Sequence, residues 1–172
     1  FTRYLVKLAN QEGISSNHIW DFEEDTAGMI WIATLGGGLY RYNPFTDKFR
    51  AYGSEPGVPE SLSDTVLSCL LFDRNNKLWV GSEFGGVCRL DDPEKGLFKV
   101  YNRTSERALI SSNQITTIFE DSRGNIWVGT NGGGLNLFKP LKDRFVNYTQ
   151  TAGLPSNLIY AILEDSNGNL WI

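Results

Sequence analysis

The sequence predicts an all-β fold of tandem four-stranded antiparallel sheets, arranged as the blades of a β-propeller. Three observations carry this. Trp31, Trp79, Trp127 and Trp171 recur at intervals of 48, 48 and 44 residues, within MIWIAT, KLWVGS, NIWVGT and NLWI. Six residues ahead of each stands an Asp: Asp25, Asp73, Asp121 and Asp165. No segment of ten residues carries helical periodicity with caps, whereas turn clusters and 18 Gly punctuate the chain.

Each unit reads as four strands. The first is apolar: IWDFEED from Ile19, LSCLLFD from Leu67, ITTIFED from Ile115 and IYAILED from Ile159. A hairpin follows, in DSRGN and DSNGN form, where Asp closes the turn with its side chain and Gly takes φ > 0. The second strand carries the Trp. A Gly-rich link leads to the third, in which Leu39 and Arg41 alternate with Tyr40 and Tyr42. NPFTDK and KPLKDR make further turns. The pairs Phe49 with Tyr52, Phe98 with Tyr101 and Phe145 with Tyr148 mark a short fourth strand. Phe1 and Tyr4 keep that spacing and read as the tail of a preceding unit; SERALISSN, from Ser105, has room for one helical turn where units join.

Four strands in roughly 45 residues is propeller periodicity, and shorter rungs would suit the rival β-solenoid. One such sheet cannot bury both faces, so sheets stack around an axis with Trp and branched residues between them. The expected divisions are 1–12 (tail of a blade), 13–56, 57–106 and 107–152 (three blades) and 153–172 (a partial blade), about 3.7 repeats in all. We therefore expect a fragment of a larger propeller with unpaired edges.

Hydrophobic residues make up 41% of the 172 and charged residues 21%, a composition that folds. Net charge is −4 with no basic stripe, so no nucleic-acid partner is expected. No run approaches the ~18 apolar residues of a membrane span, so no membrane contact is expected from this segment. Cys69 and Cys88 fall on the first and third strands of one sheet, roughly 9–10 Å apart. That is beyond disulfide reach, so both should be free buried thiols.

The frame ED-x-x-GN-[IL]-W-[IV]-GT-x-GGGL, met without a gap from Glu120 to Leu135, resembles the two-component regulator propeller repeat. Gly13 to Tyr52 gives a full repeat and Gly153 to Ile172 is equally close. The middle unit departs, with Asn76-Lys77 for Gly-Asn and Glu83-Phe84 in the glycine run. The resemblance implies a non-catalytic sensor: the periplasmic part of an inner-membrane hybrid histidine kinase, often recognising oligosaccharides. Its implied partners are an oligosaccharide, the remaining blades and signalling domains of the same polypeptide, and a second copy in a homodimer. It supplies no catalytic motif.

A Trp kept at one position in every unit is explained by packing. The Asp-x-x-Gly-Asn turns lack the carboxylates a calcium site needs. His18 is the sole histidine, too few for a metal site or a triad. Glu23 and Glu24 are adjacent on a strand and point to opposite faces, so they cannot flank a glycosidic bond. No helix or Lys follows the glycine clusters, so they are not phosphate loops. Catalytic residues, metal ligands and cofactors are therefore not expected in this segment. A propeller-based polysaccharide lyase or hydrolase, and a scaffold or adhesin, are the rival functions.

Positions shared by all units serve the blade; positions that differ are free to serve a site. The link after the second strand differs most (Leu35, Glu83 with Phe84, Asn131) and lies on the same propeller face as the starts of the first strands (Asn17 with His18, Thr65, Asn113 with Gln114, Asn157). Hydrogen-bonding groups and an exposed Phe on one rim suit a hydroxyl-rich ligand.

Overall fold

A computed structural model describes residues 14–16, 18–104 and 109–172. Three four-stranded antiparallel sheets follow one another. The first holds β1 (Ile19–Glu24), β2 (Ile30–Thr34), β3 (Gly38–Asn43) and β4 (Lys48–Tyr52). The second holds β5 (Leu67–Phe72), β6 (Leu78–Ser82), β7 (Val87–Asp92) and β8 (Leu97–Tyr101). The third holds β9 (Ile115–Glu120), β10 (Ile126–Thr130), β11 (Leu135–Lys139) and β12 (Arg144–Tyr148). Within each, the spatial order is the chain order, as in a blade. A two-stranded sheet of β13 (Leu163–Glu164) and β14 (Leu170–Trp171) completes the series.

The Asp–Trp spacing has a physical cause. In the first hairpin, one Asp25 carboxylate oxygen accepts the backbone N–H groups of Ala27 and Met29 (2.9 and 3.0 Å), and the other accepts Trp31 Nε1–H at 2.9 Å. The same indole bond recurs at Asp73–Trp79 (3.0 Å), Asp121–Trp127 (2.8 Å) and Asp165–Trp171 (3.1 Å). One carboxylate thus closes the turn and fixes the rotamer of the residue that fills the core. Asn76 replaces glycine in the second hairpin at φ 57°, a left-handed conformation that Asn tolerates.

The cores lie between consecutive sheets. Trp31, Ala33, Leu39 and Tyr52 pack against Leu67, Leu70, Val80 and Phe98; Trp79 and Tyr101 pack against Ile115, Ile118, Phe138 and Phe145. Trp31 stacks on Tyr52 at 5.4 Å and Trp79 on Tyr101 at 5.8 Å, which explains the recurrent aromatic of the fourth strand. Tyr101 also donates its hydroxyl to Asp143 of the next sheet at 2.9 Å, and Lys99 pairs with the same carboxylate. Cys69 and Cys88 are buried free thiols, as expected, and burial pushes the Cys69 thiol up to about 12.

Two expectations are corrected. The sequence predicts the fourth unit's first strand from Ile159, but ladder pairing begins at Leu163. The register sets Leu163 opposite Trp171, so Ile159 to Ala161 have no partner strand beside them. The repeat predicts a core position for Trp171, yet it is 66% exposed, because no sheet among the described residues covers it. Trp127 is only partly buried, while Trp31 and Trp79 are fully so. The Phe1–Tyr4 tail and the helical turn from Ser105 fall largely outside the described residues.

Candidate ligand site at the rim

The first strands meet the links after the second strands on one face. Leu35 N–H bonds His18 carbonyl, Glu83 N–H bonds Val66 carbonyl and Asn131 N–H bonds Gln114 carbonyl, at 2.9 to 3.0 Å. At this same end each first strand bulges. The register skips Trp20 in β1, Ser68 in β5 and Thr116 in β9. A bulge leaves one residue unpaired and re-aims its side chain. All three bulged residues, with Tyr160 at the equivalent position of the fourth unit, line one cavity of about 570 Å³. That volume is within the roughly 300–1,000 Å³ of small-ligand pockets.

Leu35, Glu83, Phe84, Gln114 and Asn131 line the same cavity. Gln114 Nε2 donates to Glu83 Oε1, tying the second sheet to the third across the wall. Val66, Leu67 and Ile115 form its floor. Trp20, Phe84 and Tyr160 are 62%, 68% and 74% exposed, so three rings open onto it.

The other rim candidates do not line it. His18 is exposed and contributes its backbone carbonyl to Leu35. Thr65 offers its carbonyl to Gly36 and Gly38, both at 3.0 Å. Asn113 accepts from Arg103 N–H, and Asn157 from Gln150 N–H, both at 2.8 Å, while their carbonyls bond Gly86 and Gly134. Thr65, Asn113 and Asn157 thus join neighbouring units, whereas His18 bonds within its own. Asn17 lies outside the described residues.

Phe84 stands where the other links have glycine, for a local reason. Gly36 and Gly132 have φ of 87° and 81°, and their turns are held by Ser16 and Ser112 hydroxyls donating to the Leu35 and Asn131 carbonyls. In the second unit Asp64 replaces that serine and accepts Phe84 N–H at 2.9 Å instead. The intervening peptide is reversed, positive φ is no longer required, and a large ring fits.

Trp20, Ser68, Thr116 and Tyr160 were not singled out from the sequence. The signal was present: they occupy one repeat position, differ in all four units, and follow an invariably aliphatic residue (Ile19, Leu67, Ile115, Ile159). Among the described residues, no group of three or more His, Cys, Asp or Glu could hold a metal ion, and no helix is long and apolar enough to cross a membrane.

The family described as "Two component regulator propeller" matches residues 13–36, 61–84, 109–132 and 153–172. Histidine kinase P4 of Formosa agariphila is 32% identical over 118 residues, which is 68% of this chain and 9% of the kinase. An extracellular domain assigned to the hybrid two component system BT3049 of B. thetaiotaomicron superposes with a TM-score of 0.67 at 24% identity, over 98% of this chain and 29% of that domain. Virginiamycin B lyase from Staphylococcus aureus superposes at 0.66 with 20% identity, over 94% of this chain and 51% of the enzyme. At such identities the two structural likenesses speak for the fold. The family match spans every unit of the repeat, and the chain belongs to the two-component regulator propeller family.

Proposed function

We propose that this chain is the ligand-binding part of an extracytoplasmic sensor in a two-component signalling protein, that it is not itself catalytic, and that its rim cavity takes an oligosaccharide. The observation that carries the reading is the bulge at one variable repeat position, which puts Trp20, Ser68 and Thr116, joined by Tyr160 at the equivalent position, on a single cavity. Exposed rings offer stacking faces, and Ser68, Thr116, Gln114, Asn131 and Glu83 offer directional partners for hydroxyls. Ligand would signal by preferring one of two arrangements of this propeller and its neighbours, including a second copy of the protein. Membership of a family with extracellular sensor domains supports a periplasmic location.

The lyase likeness raises a catalytic alternative. Among the described residues the cavity wall holds one carboxylate, and His18 is exposed and does not line it. That supports binding over bond cleavage, which needs an acid and a base placed together. The test is to titrate the intact protein with a panel of plant, algal and host-glycan oligosaccharides while following its melting temperature, and to assay the mixtures for new reducing ends. The reading expects a concentration-dependent rise in melting temperature with no new ends. New reducing ends would favour the enzyme, and binding of a protein without any glycan response would favour the scaffold.

A further inference from the structure

Resting on that ligand-binding reading, we infer that the rim cavity selects uncharged glycans over sulfated or uronic-acid glycans, with Glu83 as the selecting residue. The argument is one of charge. Among the described residues, Glu83 is the single ionisable carboxylate on the wall, and neither Lys, Arg nor His lines it. Anionic sugars are held elsewhere in protein chemistry by guanidinium or ammonium groups, whose bidentate, charge-assisted bonds offset the loss of hydration. This wall offers none.

It offers the opposite. Gln114 Nε2 donates to Glu83 Oε1 and anchors the carboxylate from the neighbouring sheet. Glu83 N–H is itself bonded to the Val66 carbonyl at 2.9 Å, so the backbone that carries it is fixed to the adjoining first strand. One oxygen bond to Gln114 leaves a carboxylate most of its capacity as an acceptor. It suits a pair of sugar hydroxyls, which donate, and repels a sulfate or uronate, which cannot. Phe84, next in sequence, and Trp20 across the mouth present apolar rings whose contact with a sugar face is independent of charge. The rings therefore supply affinity and the carboxylate supplies discrimination.

The experiment uses the intact protein and matched probes: oligogalacturonates and their fully methyl-esterified counterparts, together with maltohexaose, xylohexaose, and sulfated and unsulfated galactan hexasaccharides, titrated calorimetrically. The expected result is binding of at least one neutral probe, with its charged counterpart weaker by at least about tenfold. Glu83→Gln, which keeps the shape and removes the charge, should weaken the neutral probe through the lost acceptor while narrowing the gap between neutral and charged probes, and Glu83→Ala should narrow it as well. Charged probes binding as tightly as neutral ones would overturn the selection and leave the glycan reading standing. A gap unchanged in both variants would remove Glu83 from the role. No heat with any probe would defeat the glycan reading and this inference together.

Discussion

Asp121 shows how much one side chain sets. Its Oδ1 accepts Arg123 and Asn125 N–H at 3.0 and 2.8 Å, and its Oδ2 accepts the Trp127 indole. Burial pushes the carboxyl up, but the bonds from Trp127, Asn125 and Arg123 outweigh it and hold it below the ordinary 3.8. At the half-buried Asp165, bonds from Asn169 lead, and the value falls to about 2. A depressed carboxyl contributes stability that is fully present above its unfolded value and is lost as pH falls through the folded one. Urea midpoints should therefore drop between about pH 4 and 2, and less steeply in Asp121→Asn. Asp121→Ala at neutral pH should cost about 2 kcal/mol, since it strands a partly buried indole N–H. Trp79→Ala should cost about 3–5 kcal/mol by opening a cavity beneath Tyr101, whereas Trp20→Ala, at 62% exposure, should stay within about 0.5 kcal/mol. Denaturant unfolding of the three variants separates the tryptophan that holds the fold from the tryptophan that faces the site.

Among elements, the link between second and third strands responds most sharply to its backbone. A Cβ on Gly134 (φ 81°) would stand 2.2 Å from the Tyr148 carbonyl, so Gly134→Ala forces the third strand off the fourth. A Cβ on Gly36 (φ 87°) meets nothing within 4 Å, so Gly36→Ala carries only the backbone strain, about 1 kcal/mol. Melting the two variants side by side should show the first far worse. These elements were largely legible in the sequence, because Trp spacing, Asp turns and glycine clusters are local and repeat. The start of the fourth unit's strand at Ile159 was not, since a strand exists only where a ladder partner does. The bulge was missed for a related reason. Strict two-residue alternation from Ile19 fixes the facing of Trp20, and only the register Ile19–Thr34, Asp21–Ala33 reveals the extra residue.

Across the whole molecule, the sheets hold one another through cores made by both partners, so each Trp is buried only where a following sheet covers it. That graded burial, complete at Trp31 and Trp79 and lost at Trp171, is a property of stacking that no single repeat encodes. The rim behaves in the same way. Leu35, Glu83, Phe84, Gln114 and Asn131 come from three units; the strand reading puts them on one face and variation between units singles them out. Which of their neighbours turn inward depended on bulges and inter-sheet bonds. Both thiols lie within the packed sheets, so they should resist a thiol reagent in the native protein and react on unfolding.

The most direct test of the central claim, that the variable repeat position of Trp20, Ser68, Thr116 and Tyr160 builds a ligand site, is calorimetric titration of the intact protein and its Trp20→Ala/Tyr160→Ala variant with an oligosaccharide that the wild type binds. The account predicts an unchanged melting temperature and an affinity lower by about tenfold or more. Equal affinity in the two proteins would place the ligand elsewhere and contradict it.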